Sequence, residues 1–313
     1  MVLRPRGRGR VGRRRHPFEG PPHPGGPSSF PPLRPRARAP VRPRACTSNF
    51  RPMTRSGIVT VVGKPNAGKS TLLNRLVGQK LAITSPKPQS TRDRVVGIVM
   101  QDDAQIVLLD TPGLLDPKYA LQESMQSAAI KALEEADAIV YLIDGHEGEP
   151  VPLREAARLD RDPSAPVITV VNKSDLLTPA KREQLEQALP GAIFMSALTG
   201  EEVSGFLSLV AARLPESPFL YPEDEVSTQS VRFFVSEMIR ETTLELLHEE
   251  IPYSIACEVE EYREGRSPHF IRAVIYVERE SQKGMVVGAR GSMIKKIGEK
   301  SRKKIESFVG EKV

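Results

Sequence analysis

From Ile58 onward, short apolar runs alternate with stretches in which apolar residues recur every three or four positions. "IVTVVG", "RVVGIVM", "AQIVLLD", "AIVYLID", "PVITVV" and "AIFMS" read as strands; "KSTLLNRLVG", "SMQSAAIKALEEA", "LREAARL", "AKREQLEQAL" and "VSGFLSLVAARL" read as helices. Such alternation predicts an α/β domain with a mostly parallel sheet covered on both faces, ending near Leu214. "LPESPFLYPEDEVSTQS" then breaks the pattern with proline and acid, the composition of a connector. Beyond it the order changes. One long amphipathic helix at about 231 to 249 is followed by two strands at about 253 to 262 and 269 to 279, then by two helices parted by "GARG". The expected organisation is an α/β domain over 53–214, a linker over 215–229 and a small α+β domain over 230–313. There is no internal repeat.

Residues 1–52 carry no such pattern, and composition explains why. They hold 13 Arg, 12 Pro and a single acid, Glu19, so they cannot bury enough apolar surface to offset their ordering entropy and are expected to be disordered. A basic RNA-binding arm, an organelle transit peptide and a start codon set too far upstream all fit this leader. We favour the last, because Met53 opens "MTRSGIVTVVGKPN" and the first strand follows at once. The rest of the chain has 32 bases against 38 acids, so the overall charge of +6 is no argument for nucleic-acid binding by the folded part. Cys46 and Cys257 have no metal or redox spacing, which suits a reducing cytoplasm. No apolar run approaches the roughly 20 residues needed to span a bilayer.

Six short motifs carry chemistry. "GKPNAGKS", residues 63 to 70, satisfies G-x-x-x-x-G-K-[ST] between a predicted strand and helix, where backbone N–H groups and the helix terminus favour phosphate. Gly63, Lys64, Pro65, Asn66, Ala67, Gly68 and Thr71 would form the cradle, Lys69 would offer charge to the β- and γ-oxygens, and Ser70 would ligate Mg²⁺. "NKSD" at 172 to 175 follows the strand "PVITVV": Asp175 can accept both N–H donors of a guanine edge, Asn172 can brace the loop and the Lys173 stem can cover the ring. "SAL" (Ser196, Ala197, Leu198) would complete the base site. In "DTPGLLD", Asp110 would hold Mg²⁺ through water; Thr111 and Pro112 shape the turn, and the Gly113 N–H would reach the γ-phosphate. "TSPKPQSTRDR" supplies a polar loop in which Thr91 is the first choice for a hydroxyl closing on Mg²⁺ and Ser90 the second. Lys69, Thr91 and Gly113 are therefore the residues expected to act on the reacting phosphate. "GARG" (Gly288, Ala289, Arg290, Gly291) would let single-stranded RNA approach the backbone, and the helix after it presents Lys295, Lys296, Lys300, Arg302, Lys303 and Lys304.

Taken together, "GKPNAGKS", "PQSTRDR", "DTPGL", "NKSD" and "SAL" resemble the bacterial Era GTPases, and "YVERESQKGMVVGARGSMIKKIGEKSRKKIE" resembles their type II KH domain. The resemblance runs from about Gly57 to Val313 and implies a P-loop GTPase domain followed by a small KH type II domain. It implies GTP hydrolysis with GTP, GDP and Mg²⁺ as ligands, and binding to the 3′ end of 16S rRNA in maturation of the 30S subunit. A monomer is implied, cytoplasmic and peripheral on the inner face of the cell membrane. The family shares Leu114 in place of a water-orienting glutamine, and Asn66 matches a residue that ligates K⁺ in related potassium-activated GTPases. The KH pattern ends with a β-strand after its last helix, whereas this sequence reaches "FVGEKV", so that strand is expected to be missing. A tRNA-modification GTPase would need an N-terminal folding domain and a C-terminal cysteine motif, and a double-G-domain GTPase a second P-loop.

Overall fold

The computed structural model describes residues 2–5, 54–85, 87, 91–115, 117, 120–247, 255–265 and 267–313. Two sheets organise them. The larger has six strands: β2 (Arg55–Val62), β3 (Val95–Gln101), β4 (Ala104–Asp110), β5 (Ala138–Asp144), β6 (Val167–Asn172) and β7 (Ile193–Phe194), in the order β3-β4-β2-β5-β6-β7. Only β3 runs antiparallel; the other pairings are parallel. The helices are α1 (Lys69–Val77), α2 (Ala120–Glu134), α3 (Leu153–Ala156), α4 (Pro179–Ala188) and α5 (Val203–Arg213). The α3 helix is shorter than "LREAARL" promised, because the chain turns at Arg158, a non-glycine residue at φ 54°.

Parallel strands buried on both faces read as continuous apolar runs, and β2 and β4 do: all of β4 is buried. One core joins Val59, Val61, Leu72, Leu73, Ile106 and Leu108 to Phe206 and Val210 of α5. A second, on the opposite face, contains Val62, Leu133, Ile139, Tyr141 and Leu114. The strands' carboxyl ends, at Val62, Asp110, Asp144 and Asn172, meet at one edge, where the loops carrying the motifs emerge.

The C-terminal module contains α6 (Val231–Leu246), β8 (Ile255–Arg263), β9 (Phe270–Val277), α7 (Glu280–Val287) and α8 (Ser292–Val309), with a 3₁₀ turn over Ala289–Gly291. Its core packs Val235, Ile239, Ile255, Ile275, Val286, Ile297 and Ile305. Phe234 of α6 joins the core of the larger sheet, and Phe308 of α8 packs against both cores. The linker is not a loose tether. Gln105 Oε1 accepts from Leu220 and Tyr221 N–H at 2.8 and 2.9 Å, Ile98 N–H donates to Val226 O at 2.9 Å, and Ser56 Oγ donates to Pro218 O at 2.7 Å.

The smaller sheet has the order β1-β9-β8, where β1 is Val2–Pro5 and pairs parallel with Val274–Val277. Four residues of the segment expected to be disordered are therefore strand. The physical reason is the edge of β9, whose unpaired backbone groups accept a strand wherever one is supplied. Residues 6–53, which hold the remainder of the leader and Met53, lie outside the described residues. At the other end of β9, His269 N–H donates to Lys312 O at 2.8 Å, so the chain after α8 returns to the same edge.

Candidate nucleotide site and nucleic-acid interface

The turn between β2 and α1 wraps the side chain that the sequence places at its centre. Lys69 is buried, and its ammonium donates to the carbonyls of Gly63 at 3.0 Å and Lys64 at 2.9 Å, closing the loop on itself. Burial lowers its pKa to about 8, partly offset by the nearby Asp110 carboxylate. Asp110, fully buried at the end of β4, is pushed up by burial, against the pull of Lys69 and of hydrogen bonds from Ser70 and Thr91. Two buried charges of this kind cost desolvation energy and contribute little to stability, so their place is at a ligand.

Three oxygens converge here. Ser70 Oγ lies 2.7 Å from Asp110 Oδ2 and 2.9 Å from Thr91 Oγ1, and Thr91 Oγ1 lies 3.4 Å from the same carboxylate oxygen. Asp110 Oδ1 is buried without a hydrogen-bond partner. Hard oxygen donors with one orphaned acceptor fit Mg²⁺. Ser90, the second choice for the hydroxyl, lies outside the described residues.

A cavity of about 510 Å³ opens over this cluster, lined among others by Pro65, Asn66, Gly68, Ser70, Thr71 and Gly113. Gly113 is where the turn after β4 crosses the phosphate loop: an added Cβ would stand 2.8 Å from Pro65 N and 2.9 Å from Pro65 Cα. Thr111 Oγ1 donates to Val61 O at 2.8 Å, and Pro112 is buried beside it. Leu114 N–H donates to Gly63 O at 2.9 Å, while its side chain is 4 % exposed and sits in the second core. That side chain is a packing residue, turned away from the cavity by the apolar cluster it joins.

At the base end, Asn172 ties three segments together. Its Nδ2 donates to Ala67 O at 2.7 Å and its Oδ1 accepts from Ala197 N–H at 2.9 Å. Ser196 and Ala197 are buried, Leu198 is 69 % exposed, and Asp175 is exposed. The cost of an unmatched carboxylate at Asp175, ~1–3 kcal/mol or more, therefore arises only when a base covers it. Lys173, at φ 65°, turns its ammonium to Asp144 Oδ2.

Two supporting residues were not legible in the motifs. Arg75 of α1 donates through Nε to Ala197 O at 3.1 Å and through a second nitrogen to Leu198 O, holding the 196–198 loop. Asp144 ends β5 as Asp110 ends β4, and an acid at a strand's carboxyl end was the available signal.

In the C-terminal module, Gly288 has φ 71° and an added Cβ would stand 2.8 Å from Met293 N, so this turn admits no side chain. Gly291 has φ 79°, an added Cβ there would meet only Ile294 Cγ2 at 3.9 Å, and Ala289 and Arg290 are exposed. Lys295, Lys296, Lys300, Arg302 and Lys303 are exposed along α8. Lys304 is a correction: its ammonium lies 2.7 Å from Glu241 and 2.6 Å from Glu245 and is turned inward, because α6 presents two carboxylates to that turn of α8. Among the described residues no group of three or more His, Cys, Asp or Glu side chains that could hold a metal ion is present, and no helix is long and apolar enough to cross a membrane.

Comparison with known proteins agrees with this geometry. Residues 58–173 match the family model described as 50S ribosome-binding GTPase, and residues 250–313 match that of the KH domain. GTPase Era of Carboxydothermus hydrogenoformans is 39% identical over 269 residues, 83% of this chain and 90% of its own. GTPase Era of Synechocystis is 41% identical over 263 residues, 82% and 84% of the two chains. Among solved structures, an Aquifex aeolicus Era variant bound to GDP and aluminium fluoride superposes with a TM-score of 0.76 at 37% identity, covering 83% of this chain and 91% of the other. Era in complex with MgGDPNP and nucleotides 1506–1542 of 16S ribosomal RNA gives the same score, identity and coverage. The chain belongs to the Era family: it is a GTPase whose P-loop domain is joined to a KH domain.

Proposed function

We propose that this protein is a GTP-operated switch that binds single-stranded RNA, the 3′ end of 16S rRNA, and assists assembly and maturation of the 30S subunit. The observation that carries the reading is one compact unit holding both a nucleotide cavity with converging oxygens and an exposed basic helix behind a glycine turn. The Era relative solved with 16S rRNA nucleotides and MgGDPNP supports it, at 37% identity over 83% of this chain.

In this reading the phosphates lie over Gly63 to Thr71, with Lys69 against the β- and γ-oxygens and backbone N–H groups supplying the rest of the cradle. Ser70, Thr91 and Asp110 would hold Mg²⁺, which neutralises charge on the transferred phosphoryl group. Phosphoryl transfer asks mainly for position and charge, so a strong base is not needed. Leu114 offers no hydrogen bond to water; the attacking water is held by backbone around Gly113, with Thr91 beside it. Asn66 lines the same cavity at φ 65° and would ligate K⁺, which adds positive charge where other GTPases receive an arginine. Guanine is selected by Asp175, with Asn172, Lys173, Ser196, Ala197 and Leu198 forming its surroundings.

RNA passes over Gly288 to Gly291, with Lys295 and Lys296 on its phosphates. The protein acts as a monomer in the cytoplasm; peripheral contact with the inner face of the membrane follows from the family resemblance alone. The test is the affinity of an oligonucleotide carrying the 16S rRNA 3′ end, measured with a non-hydrolysable GTP analogue and with GDP. Tighter binding in the GTP-analogue state is expected, and equal binding in both states would refute the switch. K⁺ has its own test: turnover should be faster in K⁺ than in Na⁺, and Asn66→Ala should remove that difference.

A further inference from the structure

The loop that carries Thr91 is fastened to the KH domain at three places. Its first attachment is to Glu241, in the middle of α6, whose side chain is only 1% exposed. One carboxylate oxygen accepts from Lys80 Nζ at 2.8 Å and from Lys304 Nζ at 2.7 Å; the other accepts the backbone N–H of Thr84 at 3.2 Å. Lys80 and Thr84 belong to the G domain and Lys304 to α8, so a single carboxylate joins three segments from both domains. Burial would raise its pKa, but hydrogen bonds from Lys304 and Lys80 outweigh that and hold it below the usual range.

The second attachment is Lys87, whose ammonium donates to the carbonyls of Leu244 and Leu247. These are among the last carbonyls of α6, the end of a helix that favours a cation. The third is Arg92, which donates to Ile255 O at the start of β8. Thr91 is adjacent to Arg92, with its hydroxyl 2.9 Å from Ser70 Oγ.

We propose that Glu241 is a positioning residue for GTP hydrolysis, acting from the KH domain by holding the loop that brings Thr91 to the phosphate end of the nucleotide cavity. It does not line the nucleotide cavity. Its effect is on the free energy of holding Thr91 beside Ser70 and Asp110, at the end of the cavity assigned to the γ-phosphate. The inference concerns the reaction without RNA, so it stands apart from the reading of the RNA partner.

The experiment uses the full chain and compares Glu241→Gln, Lys87→Met and Glu245→Gln. Glu241→Gln keeps the shape and removes the charge that two ammonium groups face. For a folded variant, kcat for GTP without RNA should fall about tenfold, within the span of free energies that couple separate sites. The Mg²⁺ concentration for half-maximal rate should rise, and the affinity for a non-hydrolysable GTP analogue relative to GDP should fall, with GDP affinity unchanged. Lys87→Met should move the same quantities in the same direction by less. Glu245→Gln touches Lys304 but not the loop, and should leave all of them unchanged. A Glu241→Gln protein with wild-type kcat and an unchanged GTP-to-GDP affinity ratio would overturn the proposal. So would equal losses of GTP-analogue and GDP affinity, which would assign Glu241 to domain stability alone.

Discussion

The phosphate loop at 63–70 and the "GARG" turn at 288–291 are both glycine-bounded turns opening onto a helix, yet they treat charge in opposite ways. At the first, Lys69 and Asp110 are buried, hydrogen-bonded to the loop itself or to Ser70 and Thr91, and shifted in pKa. At the second, Arg290, Lys295, Lys296, Lys300 and Lys303 stand in solvent. A buried cradle is complementary to one ligand chemistry, because any group left unmatched there bears a desolvation cost. An exposed basic helix instead sums many weak, salt-screened contacts. One site should therefore fail abruptly on substitution and the other gradually.

The sharpest break should come at Lys69. Lys69→Ala is expected to reduce single-turnover GTP hydrolysis by at least about 100-fold, the scale of losing one charge-stabilising donor. The pH dependence has a definite sign. With its pKa lowered to about 8 by burial, Lys69 loses its charge as pH rises through 8. Phosphate favours the charged form, so calorimetry should show proton uptake on GTP binding and affinity falling above that pH.

Next in size is Gly113→Ala, whose new Cβ would meet Pro65 backbone at 2.8 Å. Moving that turn should cut hydrolysis by roughly 10- to 100-fold, as displacements of about 1 Å can. GDP binding, which does not need the γ-phosphate contact, should survive; parallel GDP titrations and rate measurements decide it. At the KH turn, Gly288→Asp combined with Gly291→Asp should weaken RNA binding by at least about tenfold at low salt, both by charge repulsion and because a Cβ at 288 would displace the turn against Met293. GTP affinity should not change, and unchanged RNA affinity would move the RNA site elsewhere. The smallest effect belongs to Lys296→Ala: a loss of about two- to threefold in RNA affinity and a reduction of about 0.7 in the salt slope, read from titrations across ionic strength. A tenfold or larger loss there would contradict the graded picture.

What was legible in the sequence was contiguous. "GKPNAGKS", "DTPG" and "NKSD" each bring their chemistry within a few residues, and the alternation of strand and helix patterns placed them at one edge of a sheet. What was not legible depends on residues far apart in sequence. Arg75 reaches the 197–198 carbonyls across more than 120 positions, and Glu241 reaches Thr84 across 157. Neither pairing leaves a local pattern. Lys304 had the same reading as its neighbours on a basic helix, and only the packing of α6 against α8 distinguishes it. The linker's attachments were hidden because proline and acid carry no periodicity, while its hydrogen bonds run to β3 and β4, elements it does not adjoin in sequence. Leu114 was read as no part of the chemistry, and its burial in the second core gives that reading a physical cause.

The two sites matter to each other only if the account of a switch is right, and single-turnover GTP hydrolysis with and without small ribosomal subunits tests this most directly. Coupling of the usual size between two sites predicts stimulation of at least about fivefold on adding subunits, abolished by the Gly288→Asp and Gly291→Asp pair. A rate that does not change when subunits are bound would contradict it, leaving an RNA-binding protein whose nucleotide is only a timer.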